Sequence, residues 1–164
     1  MNKHLFLDQI YALVKDEPNV IANLANISAF LNESLQEINW VGFYFIENNE
    51  LVLGPFQGKV ACVRIPIGKG VCGTAVLRKK VIRVEDVHQF IGHIACDSAS
   101  RSEIVLPITV NDEVIGVLDI DSPYYNRFTL KDEEILKNTV DFISFSYYMS
   151  YCATADEKLN QQAR

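Results

Sequence analysis

The fold is decided by the stretch Trp40-Val41-Gly42-Phe43-Tyr44-Phe45-Ile46, which leads through Asn48-Asn49 into Leu51-Val52-Leu53. Aromatic and β-branched residues dominate both apolar runs, and such residues favour strands. Asparagine is common in tight turns because it tolerates the left-handed backbone conformation. The stretch therefore predicts a β-hairpin.

The first strand of this hairpin also predicts a binding surface. Residues two apart on a strand point to the same face, so Trp40 and Tyr44 share a face with Gly42 between them. We expect a gap between two aromatic walls, which a small ligand could enter.

Outward from the hairpin, the periodicity of the chain predicts helices at both ends and strands between them. Apolar residues recur at helical spacing over 5–14, 20–35 and about 130–151. Further strands are predicted at 61–65, 81–84, 104–110 and 114–120, and a helix at about 71–78 follows Gly68-Lys69-Gly70. This order predicts an α+β fold, in which a central antiparallel sheet of about six strands carries the N- and C-terminal helices on one face.

Length and composition favour one domain. The chain has 164 residues, of which 49% are hydrophobic and 22% charged, enough to bury one sizeable core. We expect a single domain over 1–164, with its core at about 20–150 and a polar tail after 153.

The charge and hydropathy of the chain limit the classes of partner it could bind and indicate its cellular compartment. A net charge of −6 and a pI near 5.0 argue against nucleic acid and against an anionic membrane. Asp8 interrupts the apolar start, which predicts no signal peptide, and no stretch is apolar enough to predict a membrane span. We therefore expect a cytoplasmic protein, where cysteines that pair are more often catalytic or redox-sensing than structural.

Three cysteines stand in the middle of the chain, Cys62, Cys72 and Cys96, and none forms a CxxC pair. The strand and helix predictions put Cys62 on a strand and Cys72 at a helix start. Cys96 lies in the long loop 85–100, among small, polar and charged residues that suit a functional loop. Cys96 is therefore a candidate nucleophile.

A working cysteine needs help to ionise, because only about 3% of an unperturbed thiol is thiolate at pH 7. Arg101, His93 and the free N–H groups of the glycine- and serine-rich loop could provide it. The alternative is that all three cysteines are small buried hydrophobes, and the residue types alone leave both interpretations open.

Two carboxylates project from the last predicted strand, since Asp119 and Asp121 share a face with Val117. Burying an unpaired charge costs several kcal/mol, so N–H groups, a cation or a ligand ammonium would have to compensate. The alternative places both aspartates on the solvent side of a half-exposed strand.

The register of the last hairpin decides whether Glu103 joins these carboxylates. A three-residue loop at 111–113 pairs Val110 with Val114 and puts Glu103 opposite Asp121, whereas a two-residue loop puts Glu103 opposite Ile120. The chain has no Asn-Gly or Asp-Gly here, so the three-residue loop is predicted.

Metal binding is the alternative use of these side chains. His93 could bind a metal together with the cysteines, but no two of the ligands have zinc-finger spacing. We expect no metal.

Five blocks of the sequence form a recognisable set. The blocks are Trp40-Val41-Gly42-Phe43-Tyr44, Leu53-Gly54-Pro55-Phe56-Gln57-Gly58, Gly68-Lys69-Gly70-Val71-Cys72-Gly73-Thr74-Ala75, residues 92–103, and Gly116-Val117-Leu118-Asp119-Ile120-Asp121-Ser122. Together they resemble the free methionine-(R)-sulfoxide reductase family, whose members are single GAF domains. The resemblance runs from about 20 to 150, and the cysteine set combined with the Gly-His-Ile-Ala-Cys-Asp block is its most specific part.

The resemblance implies that Cys96 attacks the sulfur of free methionine-(R)-sulfoxide, releases methionine and becomes a sulfenic acid. A sulfenic acid condenses readily with a neighbouring thiol. By the same resemblance Cys62 is the main resolving thiol and Cys72 a second candidate partner. Thioredoxin, itself reduced by NADPH and thioredoxin reductase, would restore the dithiol, and no bound cofactor is expected.

The pocket expected from the residues agrees with this chemistry. Trp40 and Tyr44 would hold the methyl end, and Glu103, Asp119 and Asp121 would face the ammonium or the sulfoxide oxygen. That oxygen must be protonated or strongly hydrogen-bonded as the sulfur is attacked. Since three carboxylates in one pocket cannot all ionise cheaply, we expect a raised pKa, first at Glu103 and next at Asp121.

The rival prediction is a sensing GAF module that binds a small molecule without turnover and carries redox-active cysteines. Turnover of free methionine sulfoxide distinguishes the two. The sequence leaves the oligomeric state open, and a homodimer through the terminal helices is compatible with the family.

Overall fold

The structure is a computed structural model that describes residues 3–94 and 97–144. Cys96, the end of the predicted terminal helix and the predicted polar tail after 153 lie outside the described residues.

Helices and strands follow the predicted order. The helices are α1 (Lys3–Val14), α2 (Val20–Ser34), α3 (Gly70–Arg78) and α4, which is helical over 130–144, and a 3₁₀ turn spans Val87–Gln89. The strands are β1 (Trp40–Glu47), β2 (Glu50–Gly58), β3 (Arg64–Pro66), β4 (Ile82–Val84), β5 (Ser102–Val110) and β6 (Glu113–Ser122). Over 3–94 and 97–144, no helix has the combination of length and apolar composition that crossing a bilayer requires.

The six strands form one antiparallel sheet in the order β3-β2-β1-β6-β5-β4. The predicted α+β architecture is confirmed. The first hairpin is also confirmed: Glu47 pairs with Glu50, and Asn48 and Asn49 both have positive φ. That conformation matches the twist of the flanking strands, and asparagine adopts it at little cost.

The two faces of the sheet have different covers. Apolar residues of α1, α2 and α4 pack with Val41, Phe43, Leu106 and Leu118 in one buried cluster, as predicted for the terminal helices. The opposite face carries Trp40, Tyr44, Val105 and Val117, which pack with residues of α3 and the neighbouring loops. This second face holds the candidate site.

The prediction of a strand over 61–65 is wrong in its bounds. Strand β3 pairs with β2 only from Arg64 to Pro66, so Cys62 lies in the connection before β3. In this connection the carbonyl oxygens of Lys59 and Cys62 accept hydrogen bonds from side chains of β1, and the carbonyl oxygen of Val63 accepts one from the backbone N–H of Leu53 on β2. The start of α3 at Gly70 puts Cys72 in its first turn, as predicted.

The predicted three-residue loop between β5 and β6 is also wrong. Val110 pairs with Glu113 across a two-residue turn, in which Asn111 and Asp112 both have positive φ. A bulge between Ile108 and Thr109 then shifts the pairing by one residue, so that Ile108 faces Gly116. Glu103 consequently lies opposite Asp121, as predicted, although for a different reason.

The close approach of β1 and β6 predicts that Gly116→Ala destabilises the fold. An added Cβ would overlap the Tyr44 carbonyl oxygen and lie 2.9 Å from Cδ1 of Phe45, so backbone would have to move. We expect a loss of about 2–3 kcal/mol in the free energy of unfolding, measured by urea denaturation.

Gly92→Ala is the matched control. Among residues 3–94 and 97–144, nothing lies within 4 Å of a Cβ at Gly92. The φ of +81° at Gly92 opposes the substitution, at a cost of about 1 kcal/mol. Equal losses in the two variants would contradict the steric explanation.

Candidate functional site

The sheet register brings acidic and aromatic side chains into adjacent rows of one face. Asp121 pairs with Glu103 on one side and with Trp40 on the other. Asp119 pairs with Val105 and Gly42 in the next row. Residues directly opposite on neighbouring strands share a face, so Glu103, Asp119 and Asp121 line one cavity together with Trp40 and Tyr44.

Burial raises the pKa of all three carboxyls. Glu103 is 5% exposed and Asp119 is 7% exposed. Burial, followed by the charge of Asp119, raises the pKa of Glu103 and of Asp121 well above the ordinary range. Burial also raises the pKa of Asp119, but hydrogen bonds from Cys72, Glu103 and the backbone of Ile120 limit the rise to about 6. At neutral pH, Asp119 is therefore the carboxyl that ionises most readily.

One carboxylate oxygen of Asp119 could accept a hydrogen bond from a ligand. Its Oδ1 is buried and accepts no hydrogen bond from the part of the chain that the structure describes. A buried carboxylate oxygen without a partner favours a donor or cation that enters the cavity. One ligand atom each from Cys72, Glu103 and Asp119 lie within 4.8 Å of one another, a spacing that could hold a cation, whether an ammonium group or a metal.

The aromatic wall differs from the predicted gap. Trp40 and Tyr44 stack on each other with ring centroids 5.9 Å apart, and Trp40 stacks on Phe56 at 5.4 Å. Trp40 folds over Gly42, where an added Cβ would lie 2.6 Å from Cη2 of the indole. The predicted slot between the two rings is therefore closed, and the rings form one continuous wall of the cavity.

The same two rings hold the segment that carries Cys62. The Trp40 indole N–H donates to the carbonyl oxygen of Lys59 at 3.1 Å, and the Tyr44 hydroxyl donates to the carbonyl oxygen of Cys62 at 3.0 Å. Both polar tips of the wall are used in this way, so the faces of the rings present an apolar surface to the cavity.

The described cysteines differ in state. Cys62 is disulfide-bonded. Cys72 has a free thiol, is 3% exposed and lies 4.0 Å from Oε1 of Glu103. Burial, followed by the charges of Asp119 and Glu103, raises the pKa of Cys72 well above its ordinary value. The surroundings of Cys96 lie outside the described residues.

The two side chains expected to provide positive charge lie in different places. His93 lines the cavity with Nε2 3.9 Å from Oε2 of Glu103, and burial lowers the pKa of His93, with His88 adding to the effect. Arg101 contacts Nε2 of His88 at 2.6 Å and lies over the ring of Tyr125. Near neutral pH, His93 is thus a neutral hydrogen-bonding group.

Sequence reasoning missed an anchor of the loop that carries Cys96. Asp97 accepts hydrogen bonds from Asn39 at 3.1 Å and from the backbone N–H of Ala99 at 2.9 Å, and Lys59 lies 3.4 Å away. The N–H of Ala99, followed by the Asn39 and Lys59 side chains, lowers the pKa of Asp97 against the effect of burial. The turn of Asp97 onto Ala99 has a local sequence signal in Asp-Ser-Ala, but the contact with Asn39 has none.

The family model of the GAF domain matches residues 11–147 of this chain. A free methionine-R-sulfoxide reductase of Escherichia coli (strain K12) is 62% identical over 129 residues, which cover 79% of this chain and 78% of that protein. The chain belongs to the free methionine-R-sulfoxide reductase family.

Solved structures of the family have the same fold. The fRMsr of Staphylococcus aureus in complex with substrate is 56% identical, with a TM-score of 0.84 over 88% of this chain and 95% of that one. The free methionine-R-sulfoxide reductase of Neisseria meningitidis, in complex with its substrate, is 42% identical, with a TM-score of 0.89 over 92% and 91% of the two chains.

The buried carboxyls of this family member predict a pH-dependent stability. A raised pKa stabilises the fold below the unfolded-state pKa, and that stability is lost as the pH rises through the folded-state pKa. For Asp119, with a pKa raised from 3.8 to about 6, the stability lost between pH 4 and pH 7 is about 2 kcal/mol. Asp119→Asn should flatten that part of the profile in urea unfolding of the reduced protein.

The exposed Asp16 provides the control, because its side chain is 89% exposed. Asp16→Asn should keep the slope of the parent protein. Parallel profiles for the parent and Asp119→Asn would show that Asp119 does not titrate in this range.

Proposed function

We propose that this protein reduces free L-methionine-(R)-S-oxide to L-methionine, with Cys96 as the nucleophile. The observation that carries the proposal is the cavity, in which the buried Glu103 and Asp119 and the half-buried Asp121 face an apolar aromatic wall. The chain is also 62% identical to a free methionine-R-sulfoxide reductase. An amino acid with a positive ammonium group and an apolar methyl end matches both surfaces.

The ammonium group of the substrate would bind at Asp119. This carboxyl ionises most readily of the three, and its Oδ1 has no partner within the described residues. An ammonium N–H donated to Oδ1 would satisfy the buried oxygen and compensate its charge. The methyl end would then lie against Trp40 and Tyr44.

A protonated carboxyl would activate the sulfoxide. Burial and the charge of Asp119 raise the pKa of Glu103 and of Asp121 well above the ordinary range, which favours the protonated form of these two carboxyls over that of Asp119. Either could donate its proton to the sulfoxide oxygen as Cys96 attacks the sulfur. The bond between the two sulfurs is transient and breaks again, the S–O bond of the sulfoxide breaks, and the oxygen ends on Cys96 as a sulfenic acid. Methionine leaves with the electron pair that the Cys96 sulfur loses.

We assign the second step to Cys62. Its thiol attacks the sulfenic sulfur of Cys96, forms a disulfide and releases water. The disulfide-bonded state of Cys62 and the free thiol of Cys72 support this choice of partner. A thioredoxin dithiol, kept reduced by NADPH through thioredoxin reductase, would return both cysteines to thiols.

The proposal predicts turnover of a single substrate form. Asp119 would bind the free ammonium group of the substrate. A methionine sulfoxide within a polypeptide has no such group, so it should not turn over. The measurement is NADPH oxidation coupled to thioredoxin and thioredoxin reductase, with the separate R and S epimers of free methionine sulfoxide and a peptide-bound sulfoxide. We expect turnover of the free R epimer alone.

Turnover of the peptide-bound form would contradict the proposed binding of a free ammonium group at Asp119. Absence of turnover with all three compounds would favour the non-catalytic, small-molecule-sensing role. Binding of the free R epimer without turnover, measured by calorimetry, would identify that case.

Cysteine variants separate the two chemical steps. Cys96→Ser should abolish turnover while the substrate affinity stays within about threefold, because the proposed binding groups remain. Cys62→Ser should release one equivalent of methionine and then stop at a sulfenic acid, which dimedone captures and mass spectrometry locates on Cys96. Full multiple turnover by Cys96→Ser would contradict the assignment of Cys96 as the nucleophile.

A further inference from the structure

The two segments that carry Cys62 and Cys96 are both attached to the first strand of the sheet. On one side, the side chains of Trp40 and Tyr44 donate hydrogen bonds to the backbone at 59–62. On the other side, the residue directly before β1, Asn39, contacts the loop that carries Cys96. The start of β1 therefore holds both cysteine segments.

The Asn39 side chain donates to two groups of this loop. Its Nδ2 lies 3.1 Å from Oδ2 of Asp97 and 3.1 Å from Oγ of Ser100. A carboxylate can only accept hydrogen bonds, so the amide nitrogen and not the amide oxygen faces Asp97. The backbone N–H of Asn39 donates to the carbonyl oxygen of Asp121 at 3.0 Å, which fixes Asn39 to β6.

Asp97 directly follows Cys96, and its side chain is 10% exposed. Its Oδ1 accepts a hydrogen bond from the backbone N–H of Ala99 at 2.9 Å, and Nζ of Lys59 lies 3.4 Å away. Lys59 belongs to the segment that carries the other cysteine. Because the Lys59 side chain is 70% exposed, its ion pair with Asp97 contributes less than the contact with Asn39.

We propose that Asn39 and Asp97 are positioning residues for disulfide formation, and that their hydrogen bond holds Cys96 within reach of Cys62. The pairing of these two cysteines comes from the proposed function, on which this inference rests. The contact and the disulfide join the same two segments, so each should make the other more favourable.

Proximity is what this step requires from the protein. A sulfenic acid condenses with a thiol only when the two sulfur atoms meet. Attaching both segments to one strand reduces the freedom that the two sulfurs lose when they bond. Cys62 is the disulfide-bonded cysteine of the described residues, which agrees with this arrangement.

The test is the equilibrium of the protein with glutathione, which needs no sulfoxide. Two protein thiols and one glutathione disulfide give the protein disulfide and two glutathione thiols, so the constant measures how readily Cys62 and Cys96 pair. Mass spectrometry of quenched mixtures quantifies the peptide pair that contains both cysteines. Asn39→Ala and Asp97→Ala should each lower this constant about tenfold, a change of about 30 mV in the reduction potential.

Ser98→Ala is the matched control, because Ser98 lies in the same loop and is exposed. Its constant should stay within about twofold of the parent value. The double variant Asn39→Ala/Asp97→Ala should stay within about threefold of Asp97→Ala and not reach the product of the two single effects, since one contact cannot be removed twice. If Asn39→Ala fails to fold, Asp97→Ala tests the contact from the loop side.

A single turnover provides the second measurement. In Asn39→Ala, slower resolution should let the Cys96 sulfenic acid persist, so that dimedone captures about five times more adduct than in the parent. Release of the first equivalent of methionine should stay within about threefold, because Glu103, Asp119 and Asp121 remain. A merely structural role of Asn39 would slow both steps alike.

An unchanged glutathione equilibrium in Asn39→Ala and Asp97→Ala would overturn the inference, and so would an equal decrease in Ser98→Ala. A Cys62 disulfide located on a cysteine other than Cys96 would also overturn it. If the parent protein reduces no sulfoxide, the proposed function fails, while the glutathione equilibrium still decides whether Asn39 and Asp97 bring the two cysteines together.

Discussion

The bulge between Ile108 and Thr109 sets the register on which the candidate site depends. The two-residue turn at Asn111 and Asp112 alone would pair Glu103 with Ile120 and turn its carboxyl toward the helix-covered face. One extra residue on β6 restores the pairing with Asp121 and puts both carboxyls on the same side. Since β6 lies between β5 and β1, the same register also aligns these carboxyls with Trp40.

The two faces of the sheet contribute differently to the stability of the fold. Its helix-covered face is lined with apolar side chains such as Phe43, Leu106 and Leu118, which contribute stability through burial. Its other face carries three carboxyls, two of them buried and that of Asp121 half-buried, whose ionisation is opposed by their surroundings. A polar cavity of this kind lowers stability and persists because the rest of the fold offsets it, as expected for a functional site.

Local patterns in the sequence predicted much of this arrangement. Alternation along the last strand placed Asp119 and Asp121 with Val117, and the Asn48-Asn49 pair marked the first hairpin. The turn at Asn111 was missed because no glycine marks it, and a bulge has no local signal in this chain. The Asn39–Asp97 contact joins residues 58 positions apart, so it follows from the folded register and not from either segment alone.

The hydrogen bonds from Trp40 and Tyr44 to the 59–62 backbone link the shape of the cavity to the position of Cys62. Replacing either ring with a smaller side chain to admit a bulkier sulfoxide would also remove a hydrogen bond to the segment that carries Cys62. The substrate range and the position of Cys62 therefore depend on the same two side chains. An altered specificity would have to come from the opposite side of the cavity, where Val71 of α3 and Ile94 also line the space without holding that segment.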